Sequence, residues 1–231
     1  MAFMLFMRFR RDGILALVCL LAIFWSFSQV YTNESVEVFS MPLSRRIVWI
    51  DAGHGAFDPG KVAGKVEEKD INLAIALILQ GFLEAGGATV LVTRLDDEAI
   101  SSTKQGDMYT RRIMANASQA DIFISIHQNS YPQASVRGAQ LFYFNTSDNS
   151  RKLAEHIQQQ IKEFVIPNNR FVAKPNRNYY VLRQTAMPAV IVECGFLTNY
   201  NEKTRLTQVD YQERMAWGIY LGVVQYFNEV F

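Results

Sequence analysis

The sequence predicts an α/β fold, with a single domain built on a twisted, mostly parallel sheet that carries helices on both faces. Short apolar runs alternate with segments of helical periodicity between residues 46 and 231, and this alternation is typical of parallel sheets covered on both sides. No linker rich in proline and glycine interrupts that span, which favours one domain. Residues 1–30 differ in composition and form a hydrophobic segment ahead of the domain.

The N-terminal segment is predicted to direct export. Three arginines precede the apolar run Ile14–Phe27, and no charged residue occurs from Gly13 to Asn33. This pattern indicates either a signal peptide, cleaved after Ser28, or an uncleaved membrane signal anchor. The arginines predict that their end stays in the cytoplasm and that the rest of the chain lies outside. A buried helix fits poorly, because arginines are rarely buried.

The first half of the domain follows a polar segment, residues 31–45, that we interpret as a linker. Ile47–Ile50 is apolar and ends at a glycine-rich turn, so it is predicted to be a buried strand. Glu68–Glu84 is predicted to be helical, because acids occupy its first turn and apolar residues then recur at helical spacing. Gly86-Gly87 ends this helix, and Thr89–Thr93 forms the next predicted strand.

The second half continues the alternation. Apolar or alternating runs predict four further strands, at Ile122–Ile126, Gln140–Phe144, Tyr179–Leu182 and Val190–Val192. Helical periodicity predicts helices at Tyr109–Ser118, Ser150–Phe164 and Tyr211–Phe227. Pro167–Arg177 is predicted to be an irregular loop, and it is either a solvated loop or a rim that meets a polar or acidic substrate.

Composition excludes several classes of protein. Hydrophobic residues make up 49% of the 231 residues and charged residues 19%, so a disordered chain is excluded. The net charge of +1 argues against nucleic acid as a partner. Cys19 and Cys194 are the two cysteines, and because Cys19 lies in the export segment, we expect no disulfide between them.

Four residues with metal-binding or proton-transfer chemistry are expected to meet at one edge of the sheet. His54, His127 and Glu193 each follow a predicted strand, and Glu68 begins the first helix of the domain. Ligands bind outside the carboxyl ends of strands in open α/β sheets. Two imidazoles and a carboxylate are a usual ligand set for catalytic zinc, and a further carboxylate can take a proton from water. The pattern therefore predicts metal-assisted hydrolysis.

Each of these residues also has a structural interpretation. A histidine after a strand is often structural, but two of the three histidines in the chain occupy equivalent strand ends. Glu68 alone would suit a helix terminus, as would Glu67 or Asp70. Glu193 would be costly to bury without a partner. We interpret His156 as a surface residue and Cys194 as a small packed residue.

Four motifs, in order along the chain, resemble those of the zinc-dependent N-acetylmuramoyl-L-alanine amidases. They are Ile50–Gly55, Glu68–Leu73, Ser125–Asn129 and Val192–Asn199. The resemblance runs from about Ile47 to Tyr226, and it implies an α/β peptidoglycan hydrolase that uses Zn²⁺. It also extends to Arg111 and Asn116, which we interpret as structural.

The resemblance implies a role for each matching residue. His54, Glu68 and His127 match the zinc ligands of the family, and Glu193 matches its catalytic carboxylate. Glu68 is chosen over Glu67 because the glutamate of the family directly precedes Lys-Asp. Two positions depart from the pattern, since Ala52 and Ala56 replace its proline and its last glycine. Neither supplies a ligand, so we expect an adjusted loop and a retained metal. Asp58 is expected to be a turn residue.

Within the family, the short chain with one N-terminal membrane segment resembles the amidases specific to sporulation and germination. That resemblance implies action on spore cortex peptidoglycan, in the formation of muramic-δ-lactam. It places the domain outside the cytoplasmic membrane, secreted or anchored, in the space between the forespore membranes. Peptidoglycan is the expected partner, the membrane is a second one if the segment is uncleaved, and a protein partner is left open. The alternatives are a zinc peptidase acting on peptidoglycan stem peptides and a non-catalytic wall-binding protein.

Overall fold

The computed structural model describes residues 16–26 and 41–230. Residues 16–26 form an exposed helix, α1, in a unit separate from the compact unit that begins at Met41. Most of the predicted export segment and of the linker falls outside the described residues. Among those that are described, no helix combines the length and the apolar character needed to cross a membrane. Leu43, which the sequence assigns to the linker, is fully buried in the second unit.

The second unit contains eight strands and six helices within its described residues. The strands are β1 Ile47–Ala52, β2 Val62–Ala63, β3 Val66–Glu67, β4 Thr89–Val92, β5 Ile122–Asn129, β6 Gln140–Phe144, β7 Lys174–Asn176 and β8 Ala189–Phe196. The helices are α2 Glu68–Ala85, α3 Lys104–Ala117, α4 Asp148–Phe164, α5 Tyr180–Gln184, α6 Tyr200–Leu206 and α7 Val209–Val230.

Six of the strands form one sheet in the order β4-β1-β5-β8-β6-β7. The first four run parallel, whereas β6 is antiparallel to β8, and β7 runs parallel to β6. Strands β2 and β3 form a separate small hairpin. The predicted α/β fold with a mostly parallel sheet is confirmed.

Helices cover both faces of the sheet, as predicted. On one face, the apolar side chains of α2, α4 and α7 pack against residues such as Ile124 and Val192. On the other face, α3 and α5 contribute to a smaller cluster around Phe123 and Ile191. Alternation along a strand divides its side chains between the two faces, so Asp51, Ser125, His127 and Glu193 share the face of the smaller cluster.

One predicted strand is wrong. Tyr179–Leu182 was predicted to be extended because tyrosine and valine favour strands, but the structure forms helix α5 there. The side-chain oxygen of Asn176 accepts hydrogen bonds from the backbone N–H groups of Asn178 and Tyr179, and this turn leads into the helix. The edge position in the sheet is occupied instead by β7, which lies inside the predicted loop Pro167–Arg177.

Several boundaries also differ from the prediction. Helix α3 begins at Lys104 rather than Tyr109, because the Thr103 side chain accepts a hydrogen bond from Gly106 N–H and caps the earlier turn. Strands β5 and β8 continue beyond Ile126 and Val192, so His127 and Glu193 lie on the strands instead of after them. The small hairpin and α6 were not predicted.

Candidate active site

The candidate site lies at the edge of the sheet where the parallel strands end. His54 follows β1, Glu68 is the first residue of α2, and His127 and Glu193 are paired in register on β5 and β8. The sequence placed these four residues at this edge, and the structure brings them together there.

Three of these side chains form a compact cluster of metal-ligand atoms. His54, Glu68 and His127 each offer one ligand atom, and these atoms all lie within 4.8 Å of one another. Glu68 Oε1 is 3.2 Å from His54 Nε2 and 3.0 Å from His127 Nδ1. Two nitrogens and one carboxylate oxygen fit the ligand set of a divalent metal such as zinc.

Glu68 is held rigidly in this cluster. Its Oε2 accepts a hydrogen bond from Lys61 N–H at 2.8 Å, and its Oε1 accepts one from Gln128 N–H at 3.0 Å. Burial opposes ionisation of the carboxyl group, but hydrogen bonds from His127 and His54 outweigh this effect and lower its pKa well below the usual range. Glu68 is therefore ionised and oriented. By contrast, the side chain of Glu67 is partly exposed and lies 3.3 Å from Lys69 Nζ.

The ring of His127 packs directly against the backbone of Gly53. A Cβ atom added at Gly53 would lie 2.2 Å from the His127 ring, a distance at which one group has to move. The glycine in the first motif therefore makes room for a histidine that comes 74 positions later in the chain.

Glu193 is buried beside the cluster with an unsatisfied oxygen. The residue is 7% exposed, and its Oε2 has no hydrogen-bond partner among the described residues. Burial, together with the negative charge of Glu68, raises the pKa of Glu193 to about 7, although His127 and His54 act in the opposite direction. A carboxyl group of this kind can exchange a proton near neutral pH.

The pKa of Glu193 predicts how the stability of the metal-free protein depends on pH. A folded-state pKa raised from 4.5 to about 7 means that stability is full below pH 4.5 and is lost as the pH rises through 7. We expect Glu193→Gln to be more stable than the wild type by about 3 kcal/mol at pH 8, and by less than about 1 kcal/mol at pH 5. Urea unfolding in the presence of a chelator measures both differences. Equal stabilities at pH 8 would contradict the assigned burial cost.

Arg111 holds the end of β1 and the backbone of His54 in place by hydrogen bonds. Its guanidinium group donates to Asp51 Oδ1 at 2.7 Å and to the backbone oxygens of Ala52 and His54, at 2.7 and 2.6 Å. It also forms a buried ion pair with Asp107. Asn116 links α3 to the end of α5, since its side chain donates to Gln184 O and accepts from Ala186 N–H. These contacts agree with the structural roles expected of Arg111 and Asn116.

The loop after β1 has a backbone conformation that favours glycine at Ala56. Ala56, at the position where the resembling family has its last glycine, has a φ of 45°, and this left-handed region is unfavourable for residues with a Cβ. The loop is fixed by Asp97, which accepts from Ala56 N–H at 2.7 Å and pairs with Lys69 Nζ at 2.7 Å.

Ala56→Gly is expected to stabilise the protein. Removing the Cβ relieves about 1–2 kcal/mol of strain, whereas the added freedom of the unfolded chain offsets about 0.4–1 kcal/mol, which leaves a net gain of about 0.5–1 kcal/mol. Denaturant unfolding measures it. The matched control is Ala52→Gly, a buried position on β1 without positive φ, which is expected to be destabilising. Equal destabilisation by both substitutions would contradict the strain at Ala56.

A cavity of about 140 Å³ opens beside the cluster. Its lining includes His54, His127 and Glu193, together with the side chains of Met108, Tyr179, Val181 and Ile191. Sequence reasoning missed Tyr179, because it assigned this residue to a strand. The ring of Tyr179 packs edge-on against Phe142, with the ring centroids 5.4 Å apart.

His156 and Cys194 lie outside the ligand cluster. His156 is on α4 and pairs with Glu229 at 2.5 Å, in keeping with its predicted surface position. Cys194 is fully buried and not disulfide bonded, and burial raises the pKa of its thiol above the usual range. Both agree with the structural interpretations.

Comparison with known proteins identifies the family. Residues 48–225 match the family described as N-acetylmuramoyl-L-alanine amidase. The germination-specific N-acetylmuramoyl-L-alanine amidase of Bacillus subtilis is 35% identical over 209 residues, which cover 87% of this chain and 88% of that protein. The amidase LytC of Bacillus subtilis is 33% identical over 189 residues, which cover 81% of this chain and 36% of LytC.

Solved structures agree with this assignment. The CwlD amidase from Clostridioides difficile, in complex with the GerS lipoprotein, superposes with a TM-score of 0.77 at 36% identity, over 80% of this chain and 99% of that chain. The catalytic domain of CwlV, an amidase of Bacillus (Paenibacillus) polymyxa, superposes with a TM-score of 0.69 at 33% identity, over 79% and 98% of the two chains. The chain therefore belongs to the N-acetylmuramoyl-L-alanine amidase family of amide-bond hydrolases.

Proposed function

We propose that this protein is a zinc-dependent N-acetylmuramoyl-L-alanine amidase, which hydrolyses the amide between N-acetylmuramic acid and L-alanine in peptidoglycan. The single observation that carries the proposal is the buried, unsatisfied oxygen of Glu193 beside the three-ligand cluster. Burying a charge without a partner is costly. Water and a metal bound in the site would provide the partner that this carboxylate lacks.

In this proposal His54, Glu68 and His127 hold Zn²⁺. The bound ion supplies Lewis-acid polarisation of the substrate carbonyl group and lowers the pKa of water. Glu68 is oriented by hydrogen bonds from the backbone N–H groups of Lys61 and Gln128, so this ligand is in place before the substrate binds.

Glu193 acts as the general base and then as the general acid. It accepts a proton from the attacking water and delivers it to the leaving nitrogen of L-alanine. Its burial beside the ligand cluster, with Oε2 left without a hydrogen-bond partner among the described residues, offers a proton-accepting oxygen next to the metal ligands, as general acid–base catalysis requires.

We propose that the substrate is spore cortex peptidoglycan. Support comes from the germination-specific relative, of which this chain covers 88%. The domain would act outside the cytoplasmic membrane, secreted or held by the segment 1–30, in the space between the forespore membranes, with the catalytic domain at residues 46–231. The related CwlD amidase was solved with a lipoprotein, and a lipoprotein is therefore the first class of partner to test here.

Product masses test the reaction. Purified cortex and vegetative peptidoglycan are digested with the zinc-loaded protein, and the released peptides are identified by mass. Amidase action frees stems that begin with L-alanine, preferentially from cortex. Cleavage within the stems would indicate a zinc peptidase instead, and binding without any product would indicate a wall-binding protein.

A further inference from the structure

Asp58 lies opposite His54 because the backbone of the loop places it there. Gly55 N–H donates to Asp58 O at 3.0 Å, and Asp58 N–H donates to Gly55 O at 3.0 Å. This reciprocal pair closes the turn around Ala56 and Phe57. The position of the Asp58 side chain relative to the neighbouring His54 is therefore set by backbone hydrogen bonds.

The carboxylate of Asp58 contacts the nitrogen of His54 that faces away from Glu68. Asp58 Oδ2 is 2.8 Å from His54 Nδ1, while Glu68 Oε1 is 3.2 Å from His54 Nε2. The other oxygen, Asp58 Oδ1, accepts from Lys104 Nζ at 3.1 Å and from Gly60 N–H at 3.4 Å. The side chain of Asp58 is 18% exposed, so the contact with His54 is shielded from bulk water.

The contact with Asp58 suits the tautomer of His54 that metal binding requires. Both ring nitrogens face carboxylates, and ionised carboxylates only accept hydrogen bonds. A metal bound through the lone pair of Nε2 would leave the ring proton on Nδ1, where Asp58 accepts it. His127 is oriented differently, since its Nδ1 faces Glu68 and its ring packs on Gly53.

We propose that Asp58 is a positioning residue, which fixes the tautomer and the ring orientation of His54 so that Nε2 can bind the metal. The inference rests on the proposed zinc site. It adds to the turn role that the sequence suggested for Asp58, which the backbone hydrogen bonds with Gly55 bear out. Losing an outer carboxylate of this kind typically lowers metal affinity by about 10- to 100-fold, so Asp58 is expected to contribute that factor.

Zinc affinity of the full chain, measured by competition with a chromophoric chelator, tests the inference. Asp58→Ala is expected to weaken zinc binding by about 10- to 100-fold. Asp58→Asn is expected to weaken it less, because its side-chain oxygen still accepts from Nδ1–H. The matched control is Asp97→Ala, which releases the same loop at Ala56 without touching His54, and which is expected to bind zinc as the wild type does.

The outcomes separate the inference from the function on which it rests. Wild-type affinity in Asp58→Ala, or an equal loss in Asp97→Ala, would overturn the positioning role and leave the zinc amidase standing. A wild-type protein that does not bind zinc would overturn both. Urea unfolding of the metal-free variants provides a second readout. A positioning role predicts that Asp58→Ala loses zinc affinity beyond what its change in metal-free stability accounts for.

Discussion

Glu193→Gln is expected to bind zinc as the wild type does and to hydrolyse peptidoglycan about 10²- to 10⁴-fold more slowly, the usual contribution of general acid–base catalysis. Glutamine has nearly the same shape as glutamate but cannot accept the proton of the attacking water. Because Glu193 is not one of the three residues of the ligand cluster, the substitution is expected to leave the cluster in place.

Three measurements check this prediction together. Bound zinc is determined by elemental analysis, stem release is followed by mass spectrometry, and the circular dichroism spectrum reports the fold. A Glu193→Gln protein with normal zinc and near wild-type turnover would show that another group is the base. The expected gain in the stability of the metal-free variant at high pH is an independent test, because it measures the cost of burying the charged Glu193 carboxylate.

His127→Ala is expected to abolish zinc binding at micromolar protein and, with it, hydrolysis. The substitution removes one of three ligands, so the loss of affinity is expected to exceed the roughly 100-fold upper range for losing an outer-shell partner. The matched control is His156→Ala, since His156 lies on α4 and pairs with Glu229. Zinc competition measures both proteins. Tight zinc binding by His127→Ala would remove this residue from the ligand set.

The fold class could be predicted from the sequence, because the core strands are short, apolar and separated by helices with clear periodicity. Strands such as Ile122–Ile126 are buried on both faces, and this burial produces continuous apolar runs. Helix α5 could not be predicted in this way, because Tyr179–Leu182 favours a strand locally, whereas the turn before the helix depends on hydrogen bonds that the Asn176 side chain accepts.

The part of the candidate site that depends on where strands end could be predicted from the sequence. His54, His127 and Glu193 reach one edge because parallel strands end there. The choice of Glu68 over Glu67 came from the resemblance, and the structure places Glu68 at the cluster and Glu67 beside Lys69. The contact of Asp58 with His54 depends on a left-handed backbone at His54 and Ala56, which residue identities alone do not reveal.

Zinc titration of the metal-free protein tests the central claim most directly. The chelated, dialysed full chain is supplied with increasing zinc, and release of stems that begin with L-alanine is measured by mass spectrometry at each ratio. We predict no release without zinc, a rise in proportion to zinc, and a plateau at one zinc per chain. Full release of the same stems by the zinc-free protein would contradict the account.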